Sequence, residues 1–332
     1  MKALIVGYGS MGRRRIRLLR KLVDNISIIC VDNNRERQNQ AAEVGIKSYS
    51  DLSDALKERP DVAFVCTSPG HHAEIILMLV NEGINVFTEL NLVADDYDKI
   101  IALAKDKEVV VFMSSTMLYN KQIQKIDELV KSNDKPVTYI YHIGQYLPDW
   151  HPWESYKDFF IGKKKTNGVR EILAIQLPWI IETFGKIKSL NSNRQKCTDL
   201  EIDFNDSIIT SFVHENGNIG VFVADTVSRK ATTSLEIIGE DIHIFWHGHN
   251  DDLEVFNIET KKLEIVSMYD SVEHSEGYAD NIIENQYSDE IQDFLDTVYK
   301  GAESRYSIEK DKYTLLVIDE IEGILQNRLC KE

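Results

Sequence analysis

With 332 residues, 43% of them hydrophobic, the chain is long enough for two domains with real cores, so disorder is not the default. A formal net charge of -16 excludes nucleic acid and anionic lipid as partners unless a local basic patch overrides the field. The single basic cluster, Arg13, Arg14, Arg15, Arg17, Arg20 and Lys21, falls on the first expected helix, either as a solvated face or as a patch beside a phosphate motif.

From residue 1 to about 131, short apolar runs alternate with amphipathic stretches, the signature of successive βα units around a parallel sheet. Strands are expected at 2–6, 26–31, 62–66, 85–87 and 109–112, and helices near 11–22, 34–43, 51–58, 72–82, 95–104 and 120–131. Ala3-Leu4-Ile5-Val6 and Val62-Ala63-Phe64-Val65 are continuously hydrophobic, as parallel strands buried on both faces should be. After Asp134-Lys135-Pro136 the rhythm changes to a strand at 137–146, an aromatic stretch and a helix at 171–184. Alternating runs at 202–214, 219–228, 234–247 and 253–258 follow, with hairpin turns at Asn216-Gly217-Asn218 and Glu259-Thr260-Lys261. Helices at 285–299 and 308–327 close the chain, and the acidic run Asp289, Glu290, Asp293 and Asp296 reads as a solvated helix side. The expected architecture is α/β: a Rossmann dinucleotide-binding domain at 1–118, then an α+β domain at 119–332 with a large, mostly antiparallel sheet. The second domain is expected to serve substrate binding and oligomerisation, with an active cleft between the two and the final helices free to pack back on the first.

Cys30, Cys66, Cys197 and Cys330 form no C-x-x-C pair, and two of them lie in apolar strands, which suits a reducing compartment. The segment Met1 to Gly7 leaves no room for a signal peptide and no apolar run would span a bilayer, so a cytoplasmic chain with no membrane partner is expected.

Gly7-Tyr8-Gly9-Ser10-Met11-Gly12 matches G-x-G-x-x-G and sits between an expected strand and an expected helix, which lifts a weak pattern. Gly7 can make the tight turn, Gly9 lets backbone approach a pyrophosphate, Gly12 lets helix and strand pack, and Ser10 and Met11 open the helix facing the phosphates. About 20 residues later Asp32, followed by Asn33, ends the second strand where a carboxylate would accept from an adenine-ribose hydroxyl, so NAD is expected ahead of NADP. Arg35 and Arg37 would soften that preference.

Cys66-Thr67-Ser68-Pro69-Gly70-His71-His72-Ala73-Glu74, continued by Gly83-Ile84-Asn85-Val86-Phe87-Thr88-Glu89, resembles the glucose-fructose oxidoreductase, inositol dehydrogenase and MocA family. The layout of the second half, with its Leu235-Glu236-Ile237-Ile238-Gly239 strand, is also similar. The resemblance implies that Thr67, Ser68, Pro69, His72, Glu89 and Asn91 line the cofactor. It also implies a hydride-transferring enzyme for a sugar or nucleotide sugar, while the open antiparallel sheet expected in the second domain suggests a homodimer or homotetramer built face to face. The chain departs from the family where the chemistry is expected. Glu-Lys-Pro is replaced by Glu89-Leu90-Asn91, Ile172 and Ile175 stand where the family has an aspartate and a histidine, and Leu118 stands at an arginine-like position. A shift of one residue in that helix brings Glu171 or Gln176 into play.

Losing a positioned acid or base costs roughly 100- to 10000-fold in rate, so another group must act or the chemistry differs. Tyr146 and His151, in the ring-rich segment Gly144 to Trp153, and Glu171 are the candidates for proton transfer. That segment also resembles a stretch in relatives acting on sugars, where rings pack on C–H faces and Asp149 or His151 binds hydroxyls; the alternative is an aromatic strut between domains. His243, His247 and His249 lie on one strand, but no carboxylate or cysteine completes a metal set, and a sheet-surface position is favoured. The leading expectation is an NAD-dependent oxidoreductase of a sugar or nucleotide-sugar hydroxyl. The alternatives are a non-catalytic NAD- and sugar-binding regulator, or an NAD-retaining enzyme of elimination or bond cleavage.

Overall fold

Strong apolar strands separated by helix-forming stretches build the first half of the protein, whose computed structural model describes residues 1–150, 154–269, 272 and 283–325. The chain divides into one unit of Met1–Ser115 with Tyr287–Lys312 and another of Thr116–Gln286 with Tyr313–Glu332.

In chain order, the first unit runs β1 (Lys2–Val6), α1 (Ser10–Leu22), β2 (Ser27–Val31), α2 (Arg35–Glu43), β3 (Lys47–Tyr49) and α3 (Leu52–Leu56). It continues through β4 (Val62–Val65), α4 (His72–Asn81), β5 (Asn85–Thr88), α5 (Tyr97–Lys107) and β6 (Val111–Met113). All pairs are parallel and the order is β3-β2-β1-β4-β5-β6, the doubly wound arrangement in which ligands bind at the carboxyl ends of the strands where the order reverses, beside β1. Neighbouring strands stack Phe64 on Phe87 at 5.0 Å and Phe87 on Phe112 at 5.4 Å, and Phe294 meets all three edge-on.

The second unit contains α6 (Lys121–Lys131), β7 (Thr138–Gly144), α7 (Gly168–Phe184), β8 (Ile187–Gln195), β9 (Ser207–His214) and β10 (Ile219–Asp225). Then come β11 (Thr232–Ile238), β12 (His243–Trp246), β13 (Glu254–Asn257) and β14 (Lys262–Ile265); α8 (Glu284–Lys300) belongs to the first unit from Tyr287 on, and α9 (Ile308–Ile321) passes from the first unit to the second after Lys312. The eight strands run β14-β13-β12-β11-β7-β10-β9-β8, antiparallel except where β7 and β10 pair in parallel. One sheet face buries Tyr139 and Tyr141 against Phe184 and Trp179 of α7. The other face leaves Ile140, Ile209, Val213, Ile219 and Ile238 exposed, the alternation that period-2 side-chain placement dictates.

The parallel sheet and the mostly antiparallel sheet are as the sequence led us to expect. Three readings need correction. Arg14 and Arg15 are buried, so α1 has no continuous basic face, and Glu290 is fully enclosed rather than part of a solvated side. The run expected to be strand from residue 202 pairs only from Ser207, because Ile202 and Phe204 turn into a small core with Leu147 and Ile161.

Candidate functional site

β1 ends on Val6 and the backbone turns sharply at Gly7, whose φ of +100 is open to glycine alone, and whose added Cβ would sit 2.7 Å from the carbonyl oxygen of Cys66. A Cβ on Gly12 would lie 2.0 Å from the Gly7 carbonyl oxygen, so the third glycine is what lets α1 seat against β1. At Gly9 a Cβ would meet nothing within 4 Å, leaving the turn open to an incoming group. Gly9 caps α1 without a side-chain hydrogen bond and the first turn carries no acidic residue, so the amides at Ser10 and Met11 and the positive helix end favour an anion.

Asp32 follows β2. Its Oδ2 accepts the Tyr8 amide and its Oδ1 the Asn34 amide, each at 2.8 Å, while Arg37 approaches at 3.6 Å. These bonds tie the carboxylate to the glycine turn and leave further lone pairs for ribose hydroxyls. Asn33 beside it is exposed.

Thr67, Ser68 and Pro69 lie just beyond β4, with Pro69 opening a short 3-10 turn. Thr67 Oγ1 is enclosed and has no hydrogen-bond partner among the described residues, a group that a polar ligand atom would satisfy. His72 is buried at the start of α4. Its Nε2 lies 2.8 Å from the Thr67 carbonyl and its Nδ1 meets the Asn91 side chain, while burial lowers its affinity for a proton. Asn91 is buried with it.

Glu89 has a different environment. Arg15 grips it through Nε at 2.6 Å and Nη2 at 3.1 Å, and reaches Glu290 Oε2 at 2.7 Å. Glu290 in turn accepts from Ser114 Oγ at 3.0 Å and the Ser115 amide at 2.7 Å. Burial works against the charge on Arg15, but the two carboxylates outweigh it and keep the guanidinium cationic. Glu89 thus anchors the strand end through its side chain, while its amide donates to the Val65 carbonyl at 2.9 Å and its carbonyl accepts from Thr88 Oγ1 at 3.2 Å. Arg15 lies over the Phe87 ring at 4.4 Å.

In the second unit, Glu171 stands in the first turn of α7. Its Oε2 is enclosed and unpartnered among the described residues, and burial pushes its carboxyl up to about 7, a value suited to exchanging protons near neutral pH. Gln176 is spent in the core, accepting from Tyr141 Oη at 3.0 Å and Trp179 Nε1 at 2.8 Å. Ile172 and Leu118 are buried and apolar. Tyr146 carries the Arg229 guanidinium 3.6 Å from its ring centroid. His151 lies outside the described residues. Leu147 and Trp150 belong to the small aromatic core around Ile161.

Sequence reasoning missed a pair on the open sheet face. His142 Nε2 is 2.7 Å from Asp225 Oδ2, and Asp225 also accepts the Val227 amide, the Ser228 amide and Ser228 Oγ. Burial opposes the charge on Asp225, yet these bonds together hold its carboxyl below the usual range. Its only signal was strand register, which places His142 on β7 two rows from Gly144, opposite Asp225. His243 Nε2 pairs with Glu236 Oε1 at 2.9 Å, and among the described residues no group of three His, Cys, Asp or Glu could hold a metal ion. No helix there is long and apolar enough to cross a membrane.

The glycine turn, the bare helix end and the tethered carboxylate define a dinucleotide-binding domain. Residues 1–115 match the family model described as "Oxidoreductase family, NAD-binding Rossmann fold", the same segment that carries the sequence resemblance. A myo-inositol 2-dehydrogenase of Thermotoga maritima is 25% identical over 137 residues, covering 40% of this chain and 41% of that protein. The match to a pyrroline-5-carboxylate reductase of Aquifex aeolicus covers 42% of that protein, so the chain spans about two-fifths of the curated relatives it matches. Likeness over the whole length comes from solved structures. An oxidoreductase from Agrobacterium radiobacter in complex with NAD+, L-tartaric acid and magnesium superposes with a TM-score of 0.84 at 15% identity, covering 97% of this chain and 96% of that one. The WlbA dehydrogenase from Chromobacterium violaceum, in complex with NADH and UDP-GlcNAcA, gives a TM-score of 0.77 at 14% identity, covering 97% and 92%. At these identities the likeness establishes the fold.

Proposed function

We propose that the protein is an NAD-dependent oxidoreductase acting on a hydroxyl of a sugar or nucleotide sugar. The observation that carries this reading is Asp32, a buried carboxylate tied to the glycine turn and poised for ribose hydroxyls, which would repel a 2'-phosphate. Bound NAD supplies the hydride acceptor or donor. Gly7, Gly9, Ser10, Met11 and Gly12 would hold its pyrophosphate, Asp32 and Asn33 its adenosine ribose, and Thr67, Ser68, Pro69 and the Glu89–Asn91 backbone its far end. The sugar class is supported by a fold neighbour solved with NADH and UDP-GlcNAcA. Fluorescence titration with NADH and NADPH in parallel is the first test: saturable binding with NADH preferred supports the reading, and binding of neither removes it. A screen of sugars and nucleotide sugars for a change in nicotinamide absorbance then tests turnover.

With Leu90 unable to carry a proton, Glu171 takes that role in this reading, ahead of Tyr146 and His151, because burial pushes its carboxyl up to about 7. Glu171→Gln is expected to lower kcat about 100-fold or more while leaving NADH affinity unchanged. The same variant has a stability signature. Folded Glu171 keeps its proton to about pH 7, whereas its ordinary value is 4.5, so its contribution is complete below 4.5 and lost as pH rises through 7. Glu171→Gln is therefore expected to stabilise the protein by about 2 kcal/mol at pH 8 and not at pH 4, measured by denaturant unfolding.

A second reading is favoured by Leu90 itself: a chain that keeps the cofactor and has given up turnover, regulating a partner instead. NADH binding with no turnover in any variant or substrate would favour it.

We further propose a homodimer built on the open face of the eight-stranded sheet. Eight strands at ~4.8 Å spacing and ~20 Å length span roughly 750 Å², close to the ~800 Å² per partner of a stable interface, and the exposed isoleucines and valines are uncharged. Sedimentation velocity at micromolar concentration should give a dimer or a tetramer; a monomer removes the proposal.

A further inference from the structure

Arg229 lies flat on the Tyr146 ring, its guanidinium carbon 3.6 Å from the ring centroid, and both side chains grow from fixed backbone in the second unit. Tyr146 follows β7: the Gln145 amide donates to the Asp225 carbonyl at 3.3 Å and the Leu147 amide to the Thr226 carbonyl at 3.0 Å. Leu147 is then buried in the small aromatic core, and Trp150 Nε1 donates back to the Gln145 carbonyl at 2.9 Å. On the other side, Asp225 accepts the Val227 and Ser228 amides and so sets the turn from which Arg229 departs.

The guanidinium is held but not spent. Stacked on a ring, it keeps its N–H donors around its rim, in a plane where the ring cannot use them. Among the described residues none of those donors meets a protein acceptor, and no carboxylate pairs with Arg229. Asp225, four residues upstream, cannot serve, because its lone pairs are taken. Oδ1 holds the two amides at 2.9 and 2.7 Å, and Oδ2 holds His142 Nε2 at 2.7 Å and Ser228 Oγ at 3.0 Å. Lys230 follows, exposed, its ammonium also unpaired among the described residues. Two adjacent cations thus stay uncompensated in a chain whose net charge is -16.

These cations stand by the first turn of α7. A Cβ on Gly168 would lie 2.8 Å from Leu147 Cδ1 and 3.1 Å from Thr226 Cγ2, so the Tyr146 loop, the strand end leading to Arg229 and the helical turn carrying Glu171 meet at this glycine.

We propose that Arg229, stacked on Tyr146, and Lys230 form an anion clamp for the diphosphate of a substrate whose sugar hydroxyl reaches Glu171. The proposal rests on reading Glu171 as the proton-transfer group, and it selects a nucleotide sugar over a free sugar. A guanidinium offers two parallel donors to a phosphoryl group, and a second cation matches a second negative charge. A sugar carboxylate carries one charge and would leave Lys230 idle.

The test titrates UDP, inorganic pyrophosphate, glucuronate and glucose into full-length protein by calorimetry, without NADH. UDP and pyrophosphate are expected to bind, more weakly as salt rises, and glucuronate and glucose are not. The glycine turn of the first unit also suits phosphates, so every titration is run in Gly12→Ala protein as well, where clamp binding should persist. Arg229→Gln is expected to weaken UDP roughly 10- to 100-fold, the loss of charge-assisted hydrogen bonds. Tyr146→Phe keeps the platform and should keep the affinity, whereas Arg229→Lys keeps the charge without the fork and should lose most of it. Affinity lost in Gly12→Ala but intact in Arg229→Gln would place the phosphates at the glycine turn alone and overturn the proposal. Glucuronate binding in place of the diphosphates, or no binding of any probe, would overturn it too. None of these titrations uses cofactor, so a failure to bind NADH would sink the functional reading while leaving the clamp standing.

Discussion

Replacing Arg15 with methionine is expected to cost the protein about 3–5 kcal/mol, because it strands the carboxylates of Glu89 and Glu290 in the interior without their cation. The side chains of Arg15 and Glu290 have no exposed surface, so water cannot compensate. The measurement is denaturant unfolding at pH 7. Arg15→Met combined with Glu89→Gln and Glu290→Gln should recover much of the loss, since the cost comes from unpaired charge and not from the missing bond itself. Equal destabilisation of the single and triple variants would mean that packing under the Phe87 ring, at 4.4 Å, dominates instead. The single variant should also gain stability at low pH, where protonation relieves the two stranded carboxylates.

Gly12→Ala is the second large effect. Its Cβ would fall 2.0 Å from the Gly7 carbonyl oxygen and 3.3 Å from Ile5 Cγ2, and a backbone atom cannot swing aside as a flexible side chain does. Either α1 lifts from β1 or the Gly7 turn opens, and both displace the amides that would meet the pyrophosphate. NADH affinity is expected to fall about 100-fold or more, with an overpacking cost of about 1–3 kcal/mol in stability. The circular dichroism spectrum should remain that of the folded protein. Full NADH affinity in this variant would mean that the cofactor does not use this turn.

The parts of the fold that were legible share a physical reason. β1 and β4 are buried on both faces, so their sequences are near-continuous apolar runs. The edges were not legible. β3 has three residues, β14 is exposed along its length, and β8 reads Ile-Lys-Ser-Leu-Asn-Ser-Asn-Arg-Gln, polar because an edge strand faces water. The glycine turn and Asp32 could be found because their roles depend on backbone conformation and on fixed spacing within one βαβ unit. The Arg15–Glu290 contact joins residues 275 apart in sequence, which no local pattern encodes. A trace of it was present nonetheless: Arg15 shares a helix stripe with the buried Leu18 and Leu19, and Glu290 lies one turn before the buried Phe294, each a charge set within an apolar face.

Phe294 closes over Phe64, Phe87 and Phe112, and Glu290 completes the charge pair begun by Arg15, so the first unit borrows its final pieces from near the end of the chain. The segment that evolution marks as a family, residues 1–115, is therefore not the segment that physics can finish folding. On the ribosome the sheet would emerge early with an aromatic face uncovered, and would wait through the synthesis of most of the second unit before its lid arrived. Inheritance and folding draw the boundary of this domain in different places.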